Sequence, residues 1–224
     1  MVARWLVEPV PRRLLPRQLR AAAIGVALAA SAVTAILGAH FANVSLAGPI
    51  DRALDGRLVD RLAGHQQLVD RLASLGNSQV IIVVTLMMVI ALLVLHRPRG
   101  ALLAALAPAV AGGVTEFLLK PLVGRTYKGE LAFPSGHTAG VFAVAFVVIM
   151  LVFDPKPPRL PVAVQFALSF VMLALATGVA AALIAARYHY ATDTVGGACV
   201  ALAAVLSLSV AADAVADALT SPED

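Results

Sequence analysis

Apolar residues fill six long stretches of the chain, at 21–41, 79–96, 101–119, 138–153, 162–186 and 194–216, and polar residues collect between them. Each stretch predicts a helix. At 1.5 Å per residue the first is about 31 Å long, which matches a bilayer core of about 30 Å. It carries Gly25, Ser31, Thr34 and Gly38, small residues of the kind that let membrane helices approach one another. The third holds Pro108 and Gly112-Gly113, and the sixth opens near Gly196-Gly197.

One segment breaks this pattern. Between 50 and 75, Leu54, Leu58, Leu62, Val69, Leu72 and Leu75 recur at mostly helical spacing, while Asp51, Arg52, Asp55, Arg57, Asp60, Arg61, Asp70 and Arg71 fill other positions. That predicts an amphipathic helix lying at the membrane interface, closed by Gly76-Asn77. Leu-Val-Asp-Arg-Leu-Ala occurs at 58–63 and again at 68–73. A ten-residue offset turns a helix face by about 80°, so this is not a structural repeat. The predicted fold is therefore all-α: an integral membrane bundle of six transmembrane helices, with an interfacial helix between the first two spans. A basic segment 1–20 precedes the single domain 21–217, and an acidic tail 218–224 follows it.

Composition strengthens the membrane reading. Of 224 residues 60% are hydrophobic and 13% charged, and the mean hydropathy is +0.89, more apolar surface than a soluble domain of this length can use. The lone Cys199 excludes an intrachain disulfide, and a net charge of +4 is too small and dispersed for nucleic acid. The basic start followed by an apolar run is read as a retained first helix rather than a secretory signal, since 21–41 is long enough to span.

Six spans place both termini on one side and the segments 42–78, 120–134 and 187–193 on the other. Five arginines precede the first span, and the loops 97–100 and 154–161 carry two basic residues each. The terminal side is accordingly expected to be cytoplasmic.

The opposite side gathers the chemistry. Pro134-Ser135-Gly136-His137 is a helix start with an N-cap serine, a permissive glycine and a first-turn histidine. Free N–H groups there, with the positive end of the dipole, suit an anion. His189 and Asp193 are four apart and share a helical face, so the carboxylate can fix one imidazole nitrogen and leave the other to attack. His137 would protonate the departing oxygen. Lys120, Arg125, Lys128 and Arg187, with the N–H groups of 135–137, supply positive charge for phosphoryl oxygens. Glu116, four residues before Lys120, reads as an ion-pair partner at a helix end. A zinc site built on the two histidines and Asp193 is disfavoured by these cations.

With those residues in place, the chain resembles the type 2 phosphatidic acid phosphatase (PAP2) superfamily, which is marked by Lys-x6-Arg-Pro, Pro-Ser-Gly-His and Ser-Arg-x5-His-x3-Asp. Pro134-Ser135-Gly136-His137 and His189-x3-Asp193 match, and Lys120 fits the opening of the first motif. The first motif's arginine falls on Tyr127 and its proline on Lys128, with Arg125 two residues early; the third motif's arginine falls on Leu183, with Arg187 four residues late. The resemblance implies His189 as nucleophile, Asp193 as its partner and His137 as acid. It implies Lys120, Ser135, Gly136 and the displaced Arg125 and Arg187 as phosphate ligands, without metal or organic cofactor.

The expected function is a membrane lipid phosphatase working through a phosphohistidine on polyprenyl diphosphate, phosphatidic acid or phosphatidylglycerophosphate. A lipid headgroup transferase using the same histidines is the alternative, and a non-catalytic lipid-phosphate transporter a weaker one. The expected location is the plasma membrane, with the active site on the extracytoplasmic face.

Overall fold

The computed structural model describes residues 13–153 and 160–220. Parts of three expected segments lie outside them: 1–12 of the basic start, 154–159 of the proline-rich loop and 221–224 of the acidic tail.

Helix α1 (Arg20–His40) is followed by α2 (Pro49–Leu62), α3 (Gln66–Leu75), α4 (Ser78–Val94) and α5 (Pro98–Gly113). The last runs through a π-helical turn, Val114–Leu119, into the short α6 (Lys120–Val123). Gly124, at φ 64°, ends it in the left-handed conformation that glycine adopts without penalty. A two-residue hairpin follows, β1 (Thr126–Tyr127) antiparallel to β2 (Glu130–Leu131), with Tyr127 opposite Glu130. Lys128 and Gly129 at its tip both have positive φ, as a tight hairpin turn requires. Helices α7 (Gly136–Val152), α8 (Val162–Ala185) and α9 (Ala191–Thr220) complete the bundle.

Helix α7 sits at the centre, packed on α4, α5, α8 and α9, and α1 lies along α9. The interior is made of small side chains: Ala104, Ala107, Ala111, Ala139, Ala143 and Ala201 are fully buried. Large apolar residues face outward instead, among them Leu28, Ile36, Met87, Ile90, Phe166 and Phe170. That inversion suits a bilayer, where lipid tails solvate large side chains and small ones let helices close up.

Among the described residues, four helices are long and apolar enough to cross a membrane: Arg17–His40, Pro98–Val123, Val162–Ala185 and Ala191–Leu219. A fifth is gained if α3 and α4, bent by 54° at their junction, form one broken span. Helix α7, with 17 residues, is shorter, about 26 Å. The expected six full-length spans are thus four to five by this measure. The difference lies in α4, which starts at the bend, and in α7, which is enclosed by other helices.

The predicted interfacial helix 50–75 also changes form. It breaks at 63–65 into α2 and α3, and its charged positions are not all solvated. Asp51 has no exposed surface, whereas Leu54 and Leu68 are exposed. Val69 and Ala73 of α3 pack against Ala176, Val179 and Leu183 of α8.

At the far end of α9, Asp213 accepts the main-chain N–H groups of Leu14 and Leu15 at 2.8 and 2.9 Å. Asp217 binds Arg13 at 2.6 Å and Arg20 at 2.8 Å. Residues 13–20 are thereby fastened to the last helix, at the end of the bundle away from the histidines.

Candidate active site

The Pro-Ser-Gly-His segment enters α7 through a turn whose Phe133–Pro134 peptide is cis. Ser135 is the N-cap, its Oγ accepting the N–H of Thr138 at 3.3 Å. The N–H of Ser135 donates to the carbonyl of Asp193 at 2.9 Å, which joins the second motif to the third through main chain. Glycines make that joint possible. A methyl group at Gly197 would run into the Ser135 carbonyl, and one at Gly196 into the Phe133 ring. With the N–H of Ser135 engaged, those of Gly136 and His137 remain for an anion, because a helix's first turn has no internal partners for them.

His189 precedes α9, and Asp193 lies in its first turn. The Asp193 Oδ2 accepts the N–H of Tyr190 at 2.9 Å, reaching back as a capping-box carboxylate does. The same oxygen lies 3.7 Å from His189 Nδ1. Both side chains are buried, and Nδ1 makes no hydrogen bond in this arrangement. The His137 and His189 rings face each other at 5.9 Å between centroids, tilted by 59°. Two histidines separated by about fifty residues of sequence therefore meet across one gap, with the carboxylate behind one of them.

Lys120 stands on the π-turn side, bonded to Glu116 at 2.8 and 2.9 Å. The Glu116 carboxylate rests against Gly136, where a methyl group would collide with it. The expected Glu116–Lys120 pair therefore forms, and it does so beside the first turn of α7. His137 stands ahead of the apolar run 138–153. Burial pushes its pKa below the ordinary histidine value, the His189 and Lys120 charges push the same way, and Glu116 opposes them.

The remaining cations are placed unequally. Lys128, at the hairpin tip, is exposed, with Nζ 5.3 Å from the Tyr127 ring centroid. Tyr127 meets Tyr190 edge-on at 4.5 Å. Arg187 is exposed in the loop between α8 and α9, with φ 59°. Arg125 is completely buried, and both terminal nitrogens bind carboxylates: Nη1 to Asp193 and Nη2 to Asp51, each at 2.6 Å. Arg125 is expected from sequence as a phosphate ligand; the structure places it inside, between two carboxylates.

Sequence reasoning missed Asp51, Asp55 and Thr192. Asp51 accepts the N–H and the hydroxyl of Thr192, and Asp55 the N–H of Ala191 at 3.1 Å. Burial raises Asp51, but hydrogen bonds from Thr192, Arg125 and Gly48 outweigh it and hold the carboxyl below its usual range. Asp55 is pushed up to about 6, first by burial and then by the Asp51 and Asp193 charges, against the Ala191 N–H and Arg125. The available signal was Gly48-Pro49-Ile50-Asp51, a helix start with a carboxylate at the capping-box position.

A family model for the PAP2 superfamily matches residues 80–215. The chain belongs to the PAP2 superfamily. No curated protein and no solved structure matches it. PAP2 proteins are generally phosphatases, so membership points to phosphatase or phosphoesterase chemistry on a phosphorylated substrate. The matched region holds both facing histidines and Asp193, while α1, α2 and α3 lie before it.

Proposed function

We propose that this PAP2 protein is an integral membrane phosphatase that removes phosphate from a lipid phosphate or diphosphate through a phosphohistidine. The observation that carries the reading is the facing pair His137 and His189 with Asp193 behind the latter. His189 attacks through Nε2, forming the N–P bond as the P–O bond to the lipid breaks. His137 gives its proton to the departing oxygen. In the second half, water attacks the phosphohistidine, His137 takes the water's proton, and inorganic phosphate leaves with His189 restored. Asp193 orients His189 and offsets the positive charge that develops on its ring. Lys120 and the Gly136 and His137 N–H groups hold the phosphoryl oxygens, with Arg187 and Lys128 at the rim. No step requires a metal or an organic cofactor.

An apolar groove of about 630 Å³ between α1, α5 and α9 supports a lipid substrate. It is walled by Thr34, Gly38, Val110, Val200 and Ala204, and reaches Phe133, two residues before the N-cap serine. Such a groove inside the hydrocarbon layer suits an acyl or prenyl chain whose headgroup lies at the histidines. Polyprenyl diphosphate, phosphatidic acid and phosphatidylglycerophosphate all have that form. In this reading the bundle completes six spans in the plasma membrane, with cytoplasmic termini and the site on the extracytoplasmic face. The burial of Arg125 lowers the number of cations open to phosphate, which favours headgroup transfer as the second reading.

The test is inorganic phosphate release by the detergent-purified protein from these three lipids in excess chelator. Release is expected, with loss of at least about a hundredfold in His189→Ala. Chelator-sensitive release, or full activity in His189→Ala, would contradict the mechanism. Loss of lipid phosphate only when an acceptor alcohol is supplied would favour transfer.

A further inference from the structure

We propose that Arg125 and Asp51 are positioning residues, which fix Asp193 and through it His189, and that α2 is the strut delivering Asp51 to the catalytic helix. The inference rests on the phosphohistidine reading and assigns Arg125 a task other than holding phosphate.

The geometry leaves Arg125 little else to do. Its guanidinium carbon lies 3.7 Å from the Phe41 ring centroid and 4.5 Å from that of Tyr190, so two aromatic rings pack against the group. Nη1 donates to Asp193 Oδ1 and to Thr192 Oγ1, both at 2.6 Å, and Nη2 donates to Asp51 Oδ2 at 2.6 Å. The Nε has no partner, and it is buried as well. No part of the group is open to a substrate arriving from the surface.

Asp51 closes the circuit. Its Oδ1 accepts the Thr192 N–H at 2.9 Å and hydroxyl at 2.8 Å, and its Oδ2 accepts the Gly48 N–H at 3.1 Å. Asp55, one turn further along α2, accepts the N–H of Ala191. Two carboxylates of α2 thus bind successive N–H groups at the start of α9, where the dipole favours negative charge. Asp193 is held through both oxygens, by Arg125 on one and by the Tyr190 N–H on the other. Its position relative to His189 is therefore set by residues 51 and 125, far from it in sequence.

The charge count gives this arrangement a catalytic consequence. One guanidinium stands between two fully buried carboxylates, leaving one negative charge in excess. His189 Nδ1 lies 3.7 Å from Asp193 Oδ2, is buried and makes no hydrogen bond. When His189 takes up phosphate its ring gains positive character, and the excess charge is already in place to meet it.

The experiment compares Arg125→Lys, Asp51→Asn and Lys120→Ala in the full-length detergent-purified protein, with phosphatidic acid and a polyprenyl diphosphate as probes. Lysine keeps the charge but cannot bind three acceptors in one plane. Expected for both Arg125→Lys and Asp51→Asn is a fall in kcat of about tenfold or more with KM within about twofold, whereas Lys120→Ala raises KM. A double-mutant cycle separates positioning from general weakening. In an Asp193→Asn background, Asp51→Asn is expected to cost less than about twofold more, because its route of action has gone. Thr192→Val, with Thr192→Ser as rescue, repeats the test on the hydroxyl between the two side chains and serves if the charged variants do not fold. A raised KM with unchanged kcat in Arg125→Lys would return it to the phosphate ligands and overturn the proposal, as would losses that multiply in the cycle. Full turnover by His189→Ala would overturn the phosphohistidine reading and this inference together; a dead His189→Ala with those other results overturns the inference alone.

Discussion

In the proposed mechanism His137 must be protonated to serve as an acid, yet its surroundings favour the neutral form. Burial, His189 and Lys120 all lower its pKa, and only Glu116 raises it. The sign follows directly: activity that needs the protonated ring is present below that pKa and lost as pH rises through it. The kcat/KM profile reports the free enzyme, so its alkaline limb is expected below the ordinary histidine value of about 6.5. The limb of kcat is expected higher, because a bound phosphate adds negative charge beside the ring. Glu116→Gln removes the one opposing influence and should move the kcat/KM limb to lower pH, measured as initial rates between about pH 5 and 9. A limb that stays in place would dissociate Glu116 from His137. At this scale the sequence was informative wherever a residue's chemistry depends on near neighbours. His137 follows its own N-cap, and His189 lies one helical turn from Asp193. It was uninformative for Arg125, whose partners Asp51 and Asp193 come from segments 74 and 68 residues away.

Among the elements, α2 departs furthest from expectation. Leucine spacing alone makes it an amphipathic surface helix, because periodicity records which residues are apolar and not which polar residues find buried partners. Asp51 goes inward because Arg125 and Thr192 wait there; Leu54 stays out. Helix α2 packs on both α8 and α9, whereas α3 packs on α8. Asp55 carries a measurable trace of this docking. Its carboxyl binds a proton more tightly in the folded state, up to about 6 against 3.8. Folded stability from this group is therefore greatest below the unfolded value and declines as pH rises through about 6. Asp55→Asn keeps an acceptor for the Ala191 N–H and removes the ionisation. It should raise the melting temperature in detergent at pH 7.5 and leave it nearly unchanged at pH 4. A lower melting temperature at pH 7.5 would mean that the ionised carboxylate holds α9 better than it suffers from Asp51 and Asp193.

Across the whole molecule, α9 links two ends with different duties. Its first turn carries Asp193, and Asp213, twenty residues on, lies about 30 Å away along the axis. Asp213 is fully buried and accepts two main-chain N–H groups. Asp213→Ala leaves both donors unmatched and should cost about 2–4 kcal/mol of stability. The kcat of the folded fraction should be unaffected. Thermal melts paired with initial rates at low temperature check this, and a kcat loss matching the stability loss would show the two ends to be coupled. Six helical segments and their order were legible in the sequence, since each apolar run is local. The bend between α3 and α4 and the fastening of Arg13 and Arg20 to Asp217 were not, because both depend on contacts between segments.

The bond from the Ser135 N–H to the Asp193 carbonyl has an implication for inheritance. Both atoms belong to the main chain, which every residue but proline supplies in the same form, so the spacing between the two histidine segments does not depend on which side chains surround them. Substitutions can accumulate on either side while the joint is passed on intact. Three changes reach it: proline at 135, which deletes the donor, and a side chain at 196 or at 197, which runs into the Phe133 ring or the Ser135 carbonyl. Descendants of this chain that retain the chemistry should therefore tolerate drift at other neighbouring positions and remain intolerant at these three.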